Sequence, residues 1–189
     1  DYYSLGMMVK TDLNDRLSIA VVIDSPFGAD VTYGPGSAAL GGTSANVETS
    51  AITGLVRYKF DGGFSVYGGL KVQRAEANVD LRGYAYGPVA TGANKTLNGY
   101  SVQLDPETAT GYVVGAAYEK PEIALRVMLT YSSAVTGNFN AKETMTLGNG
   151  YVATLADTTT EVSSPQSVNL DFQTGVAADT LVFGQIRWA

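Results

Sequence analysis

Apolar and polar residues alternate along eight separate segments of this chain, and this alternation limits the possible folds more than any other feature of the sequence. In one segment Ile52, Val56 and Phe60 share a face, while Leu55 and Arg57 share the opposite face. A period of two places successive side chains on the two faces of a β-strand and gives no helical stripe. The pattern therefore predicts an all-β protein with strands at residues 2–11, 16–24, 47–60, 64–82, 110–118, 123–132, 167–176 and 181–189.

The connections between these strands alternate between short turns and long loops. Four are short, and Asp61-Gly62-Gly63 is the clearest, because glycine supplies the positive φ of tight turns. The three long loops are predicted at residues 25–46, 83–109 and 134–165. In an antiparallel up-and-down sheet this order puts all short turns at one end, as in transmembrane β-barrels of the outer membrane.

The charged residues near the strand centres lie on one face of each strand. They are Lys10, Arg57, Lys59, Lys71, Arg126, Asp171 and Arg187. Arg74 is the exception, and we expect it above the bilayer or after a bulge. A soluble β-sandwich also has one apolar face, so alternation alone does not decide between lipid and a second sheet. The small residues of the polar face and the aromatic residues at the strand ends favour a membrane barrel.

The composition excludes several classes of function. The net charge of −6 and the scattered basic residues give no nucleic-acid surface. The chain has no Cys and no His, which removes thiolate and imidazole metal ligands and the Ser-His-Asp triad. We therefore expect no enzyme activity, no cofactor and no metal ion. An outer-membrane enzyme such as a barrel lipase would need a His-containing catalytic set.

Four stretches resemble the FadL/TodX family of outer-membrane transporters for long-chain fatty acids and other hydrophobic compounds. The stretches are PFGAD at residues 26–30, ANV at 45–47 continuing to RYKFDGGFSVYGGL at 57–70, SPQS at 164–167, and VFGQIRW at 182–188. Their order and spacing carry the resemblance, which covers most of the chain outside the loops.

The resemblance implies a monomeric, fourteen-stranded barrel in the bacterial outer membrane, with an N-terminal hatch in its lumen. Members of the family take up hydrophobic ligands passively and release them sideways into the membrane at a kinked strand. We therefore expect residues 1–189 to form about eight strands of a larger barrel, without the hatch and the C-terminal strands. An open, incomplete wall is favoured over a small closed barrel of eight strands.

A fatty-acid ligand calls for cations near its carboxylate and apolar side chains along its tail. The lumen-facing candidates are the cations Arg57, Lys71, Arg126 and Arg187 and the apolar residues Leu55, Tyr67, Met128, Leu181 and Phe183. The alternative is that the charged residues pair with one another or with Asp171 and only hold the interior together. Apolar residues in the long loops suggest a surface groove that first captures a ligand. They are Tyr84, Tyr86, Leu97, Tyr100, Leu104, Met145, Leu147, Tyr151 and Leu155.

Two other functions remain open from the sequence alone. A non-enzymatic structural or adhesive β-protein of the cell surface would pack its apolar face against a second sheet. A general diffusion porin would carry more charge in its lumen and a constriction loop.

Overall fold

The computed structural model describes residues 5–87, 96–155 and 157–189, which form one antiparallel sheet. Its strands are β1 (Met7–Asp12), β2 (Leu17–Asp24), β3 (Gly28–Thr32), β4 (Ser44–Lys59), β5 (Phe64–Leu81), β6 (Tyr100–Lys120), β7 (Leu125–Ser132), β8 (Val135–Thr146), β9 (Val152–Thr154), β10 (Thr158–Ser164), β11 (Ser167–Ala177) and β12 (Thr180–Trp188). The prediction of an all-β antiparallel fold is confirmed. Neither of the two three-residue 3₁₀ helices described, Tyr84–Tyr86 and Pro121–Ile123, is long enough to cross a membrane.

The main path of the sheet is β1-β2-β4-β5-β6-β7-β11-β12, and these are the eight predicted strands. β1 pairs only with β2, and β12 pairs only with β11, so the described sheet is not closed. Met8 of β1 and Met128 of β7 line the same cavity, although four strands lie between β1 and β7 in the sheet. The sheet is therefore strongly curved. The concave side carries Arg57 and is called the inner face; the opposite side carries Val56 and is called the outer face.

The long segments between the predicted strands are not loops throughout, which corrects part of the sequence prediction. β3 pairs with β4, β8 pairs with the first part of β6, and β9 and β10 pair with β8. β6 begins at Tyr100, ten residues before the predicted start. β3, β9 and β10 are short and mostly polar, so alternation is weak there. β8 does alternate, with Val135, Phe139 and Ala141 on its buried face, and the sequence prediction overlooked that pattern.

Glycine closes the turn between β4 and β5. Gly62 and Gly63 have φ values of +83° and +86°. A Cβ atom on Gly63 would lie 2.2 Å from the carbonyl oxygen of Glu119, and the Glu119 amide donates to the Gly63 carbonyl at 2.9 Å. Position 63 therefore needs glycine for two reasons, a left-handed backbone and a close approach to β6.

Burial in the sheet is the reverse of that in a soluble protein. On the outer face, Leu70 is 73% exposed and Ile52 is 54% exposed, whereas on the inner face Ser65 is 2% exposed and Gln73 is 4% exposed. No second sheet covers the outer face among the described residues. This arrangement contradicts the sandwich alternative and is that of a wall whose outer side meets lipid.

Aromatic side chains mark both ends of this apolar outer face. Near the short turns, the ring centroids of Tyr58 and Phe60 are 5.0 Å apart, and those of Phe64 and Tyr118 are 4.7 Å apart. Towards the other end, the centroids of Tyr112 and Tyr131 are 6.0 Å apart. The apolar outer face between these two groups is called the apolar band, and the groups match the interfacial girdles of membrane barrels.

The sheet continues beyond the apolar band. Arg74 points outward two residues after Val72, just before a bulge between Ala75 and Ala77 in the pairing of β5 with β6. Past this level the outer face is polar. β5 and β6, with 18 and 21 residues, therefore cross the band and extend above it.

We expect Leu70→Arg to destabilise the full-length protein in lipid vesicles by about 2–4 kcal/mol, because it places a charge on the lipid face near the bilayer midplane. Asn78→Arg is the matched control, since Asn78 is also outward on β5 but lies above the apolar band. Asn78→Arg should lower the free energy of unfolding by less than about 1 kcal/mol. Denaturant unfolding measures both variants, and equal losses would contradict the assignment of the outer face to lipid.

Candidate ligand path on the inner face

Strand register places the predicted lumen residues on one face. Arg57 of β4 is opposite Tyr67 of β5, Tyr67 is opposite Gly115 of β6, and this rung continues through Thr130 of β7 and then Asn169 of β11. The next residue on the rung, on β12, is Arg187. Directly paired residues of an antiparallel ladder share a face, so the rung forms one level of the inner face.

Glu119 lies between two of the predicted cations. Its Oε2 atom is 2.9 Å from Nη2 of Arg57, and its Oε1 atom is 3.2 Å from Nε of Arg126. Arg57 Nε also donates to the Ser65 hydroxyl at 3.0 Å. We call Arg57, Glu119 and Arg126 the Glu119 cluster. Both arginines are therefore already paired, so the cluster organises the interior rather than presenting free cations.

The sequence does not predict Glu119 as the partner of these arginines. The alternation places residues 119–122 in a short turn, but β6 continues to Lys120 and Glu119 faces inward. The alternation along β6 does contain this information, because Glu119 continues the series of inward residues Val113, Gly115 and Ala117. Asp171, the predicted partner, instead accepts a hydrogen bond from Nε2 of Gln185 at 2.7 Å.

A second ion-pair group lies on the inner face close to the first short turn. The Lys10 ammonium is 2.8 Å from Asp12 Oδ1, and the Lys59 ammonium is 3.9 Å from the same atom. The Ser18 hydroxyl donates to Asp12 at 2.5 Å. The inner charges at this end of the strands are thus also largely neutralised.

Five of the nine predicted lumen residues line a single cavity of about 130 Å³. They are Leu55, Arg57, Tyr67, Arg126 and Met128. β1 and β2 contribute further lining residues: Lys10, whose inward face the sequence predicted, and Met8, Ser18 and Ala20, which the sequence did not single out. The cavity combines thioether, aliphatic and aromatic groups with the rim of the Glu119 cluster, a lining that suits an apolar molecule.

A larger, open cavity of about 640 Å³ lies beside the first, towards β12. Arg126 and Met128 line both cavities, and the predicted residues Leu181 and Phe183 line the larger one. Phe183 is 77% exposed. Together the two cavities form a mostly apolar surface along the inner faces of β1, β2, β4, β5, β7, β11 and β12.

The remaining predicted cations, Lys71 and Arg187, line neither cavity. Lys71 is half-buried on the inner face, opposite Thr53 and Gly111, and has no hydrogen-bond or ion-pair partner among the described residues. The Arg187 guanidinium carbon lies 5.6 Å from the centre of the Phe27 ring, within range of a cation–π interaction. Of the predicted lumen cations, Lys71 is therefore the one without a described partner.

Phe27 belongs to a kink between β2 and β3. Pairing with β4 stops at Asp24 opposite Ala51 and resumes at Gly28 opposite Glu48, so three residues face two. The Phe27 amide donates to the Thr49 hydroxyl at 3.0 Å, and that hydroxyl donates to the Phe27 carbonyl. Pairing of β1 with β2 begins at Met7 opposite Ile23.

The apolar residues predicted for a surface groove separate into three groups. Tyr100, Leu104 and Met145 lie in paired strands, which corrects their assignment to loops. Tyr86 is half-buried in the 3₁₀ helix Tyr84–Tyr86. Tyr84, Leu97, Leu147, Tyr151 and Leu155 remain exposed, by 40 to 64%. No cluster of three or more potential metal-ligating His, Cys, Asp or Glu side chains occurs within the described ranges.

Glu143, above the apolar band, ties β6, β8 and β10 together. The Tyr100 hydroxyl donates to its Oε2 atom and the Thr158 hydroxyl to its Oε1 atom, each at 2.8 Å. The bonds from Thr158 and Tyr100 lower the pKa of Glu143, while burial and the Glu143 carboxylate raise the pKa of Tyr100 to about 12. Because the pKa of Glu143 is lowered, its stabilisation is complete at neutral pH and is lost only as the pH falls through that lowered pKa.

We expect Glu119→Gln to destabilise the full-length protein by roughly 1–3 kcal/mol, because Arg57 and Arg126 then lose their shared counterion. The loss stays below the ~3–5 kcal/mol of a fully buried pair because water reaches the cluster. Glu122→Gln is the matched control, since Glu122 is exposed and has no ion pair in the described structure. Denaturant unfolding in vesicles measures both, and an unchanged stability of Glu119→Gln would refute the role of the cluster.

Comparison with known proteins agrees with this geometry. A family model described as outer membrane protein transport protein (OMPP1/FadL/TodX) matches residues 5–186. The structure of the toluene transporter TodX from Pseudomonas putida has a TM-score of 0.68 and 14% identity over 98% of this chain and 54% of that chain. A TodX deltaS2S3 mutant, a monoaromatic hydrocarbon channel, has a TM-score of 0.62 and 14% identity with the same coverage.

The chain spans about half the length of these solved structures, whose low identity to it shows the fold alone. No curated protein sequence matches the chain. The family model covers nearly the whole chain, and its members are outer-membrane transport proteins rather than enzymes. The chain therefore belongs to the FadL/TodX family of outer-membrane transport proteins.

Proposed function

We propose that the full-length protein takes up hydrophobic small molecules passively across the bacterial outer membrane, with the inner face of this sheet as part of the path. This proposal is supported mainly by the largely apolar cavity between β1, β2, β4, β5 and β7, on the concave side of a sheet whose convex side is apolar and exposed. A cavity of about 130 Å³ suits a single ring or a segment of an alkyl chain. A general diffusion porin is disfavoured, because its path would be lined mainly by charges.

Long-chain fatty acids are the ligands we propose first, with neutral hydrocarbons as the second candidate class. A fatty acid needs a cation for its carboxylate, and Lys71 is a half-buried inward cation without a described partner. Neutral hydrocarbons have no such need, and the two related structures are named as a toluene transporter and a monoaromatic hydrocarbon channel.

The kink between β2 and β3 is our proposed exit from the path into the membrane. The ladder with β4 is interrupted there, because three residues face two, and Phe27 lies within the interruption. A break in strand pairing beside an apolar interior leaves room for an apolar molecule to leave sideways. Such a break is tolerated at membrane depth only where the backbone lines a cavity or is buried in protein.

We further propose that additional strands close this wall into a fourteen-stranded barrel with a hatch in its lumen. The unpaired outer edges of β1 and β12 support this, because unpaired backbone groups are costly in lipid. The barrel is proposed to work as a monomer surrounded by outer-membrane lipid. The exposed aromatic and aliphatic residues above the band, Tyr84 and Tyr151 among them, are proposed to make first contact with the ligand.

We expect Lys71→Met to reduce the affinity for oleate about tenfold and to leave the affinity for toluene unchanged. A hydrogen bond to a charged group contributes ~1.5–3 kcal/mol, and 1.4 kcal/mol corresponds to tenfold. Lys71→Arg should retain binding, and Lys120→Met at the exposed turn is the matched control. Equilibrium binding to the purified full-length protein measures each variant, together with uptake into cells that lack other transporters.

The outcomes separate the two ligand classes. Loss of oleate binding in Lys71→Met alone supports fatty acids as ligands. Equal oleate binding in Lys71→Met and wild type contradicts Lys71 as the carboxylate anchor. If the wild-type protein binds and moves neither oleate nor toluene, the proposed transport function itself is wrong.

A further inference from the structure

The side chain of Tyr67 crosses a neighbouring strand instead of standing away from the sheet. Its hydroxyl lies 2.5 Å from the hydroxyl of Thr130, although Tyr67 is on β5, Thr130 is on β7, and β6 lies between them. Neighbouring strands are about 4.8 Å apart, so the two residues are separated by roughly 10 Å. A tyrosine reaches that far only if its side chain lies along the sheet surface.

Gly115 of β6 makes room for this ring. Tyr67 and Gly115 are direct partners in the ladder, and a Cβ atom on Gly115 would lie 2.3 Å from Cζ and 2.5 Å from the hydroxyl oxygen of Tyr67. The backbone of Gly115 has no positive φ, so its conformation does not itself require glycine. The requirement comes from the ring, and pairing of an aromatic residue with a cross-strand glycine is a known device of β-sheets.

The ring also forms part of the smaller cavity, with Leu55 and Met128 among its other lining residues. The wall lies behind the ring and the interior lies in front of it. Any side chain at position 115 therefore displaces the ring in one direction, towards the interior. Since the cavity measures only about 130 Å³, a displaced phenol ring would fill most of it.

We propose that Gly115 and Thr130 are positioning residues that hold Tyr67 flat against the wall and so set the width of the ligand path. Gly115 gives the ring space, and Thr130 fixes its far end by a hydrogen bond. The width then determines how bulky a hydrophobic molecule can pass. This inference rests on the proposed function of hydrophobic uptake and adds to it a determinant of ligand size.

The test compares Gly115→Ala with Gly54→Ala in the full-length protein. Gly54 also lies inside a wall strand, but a Cβ atom there would meet nothing within 4 Å. We expect Gly115→Ala to lower the uptake of naphthalene about tenfold relative to wild type, the effect of one methylene in a tight apolar pocket. Uptake of the slender molecule hexane should fall less, and Gly54→Ala should leave both rates unchanged.

The double variant Gly115→Ala with Tyr67→Ala decides the mechanism. If the displaced ring blocks the path, removing it restores naphthalene uptake to at least the wild-type rate. If Gly115→Ala lowers uptake and the double variant does not restore it, or if Gly115→Ala behaves like Gly54→Ala, the inference is overturned. Migration of unboiled samples in detergent shows whether each variant forms a closed barrel.

Two further measurements test the positioning role of Gly115 and Thr130 even if Gly115→Ala does not fold or the proposed function is wrong. Thr130→Val adds no bulk but frees the hydroxyl end of Tyr67, so it should lower the ratio of naphthalene to hexane uptake even if Gly115→Ala does not fold. A crystal structure of Gly115→Ala should show the Tyr67 ring moved into the cavity, and an unmoved ring would refute the inference. If the wild-type protein carries neither hydrocarbon but does carry oleate, the proposed function stands and only these hydrocarbons are excluded as ligands. The ring position in the crystal structure then still tests the positioning role of Gly115.

Discussion

Backbone hydrogen bonding in a medium without water is the constraint from which the rest of this structure follows. Lipid offers no partner to an exposed amide or carbonyl, so a spanning chain must pair its backbone internally. The long ladder of β4, β5 and β6 meets this demand through sixteen residue pairs between β4 and β5 alone. Once the ladder exists, side chains alternate between lipid and interior, and each face acquires its own chemistry.

Most of the charge on the inner face is compensated, and Lys71 is the exception among the predicted lumen cations. Glu119 forms ion pairs with two arginines, and Asp12 forms ion pairs with two lysines. The small residues Gly115 and Ser65 leave room for the side chains of Tyr67 and Arg57 to lie close to the sheet. Because these charged side chains are paired, the two cavities have a mostly apolar surface although several charged residues line them. On the proposed path, a hydrophobic molecule would contact methionine, leucine and aromatic side chains without displacing a tightly held counterion.

The sequence revealed the parts of the fold in which one face differs sharply from the other. The eight main strands, the Asp61-Gly62-Gly63 turn and the orientation of Arg57 all follow from alternation and glycine chemistry. The alternation does not reveal β3, β9 and β10, which are short and mostly polar and are held by pairing with their neighbours. β8 carries Val135, Phe139 and Ala141 on one buried face, but this alternation lies within a segment rich in Thr and Asn that resembles a loop. The cavity was beyond reach as well, since it depends on curvature that brings Met8 to Met128.

The hydrogen bond between Gly63 and Glu119 connects the β4–β5 turn to the Glu119 cluster on the inner face. The carbonyl of Gly63 holds the amide of Glu119, and the side chain of that glutamate joins Arg57 to Arg126. An insertion in the β4–β5 turn would therefore shift the interior charges as well as the turn. Evolution has little freedom to lengthen the connections at this end, whereas the opposite end accommodates segments of very different length, so diversification among relatives should concentrate there.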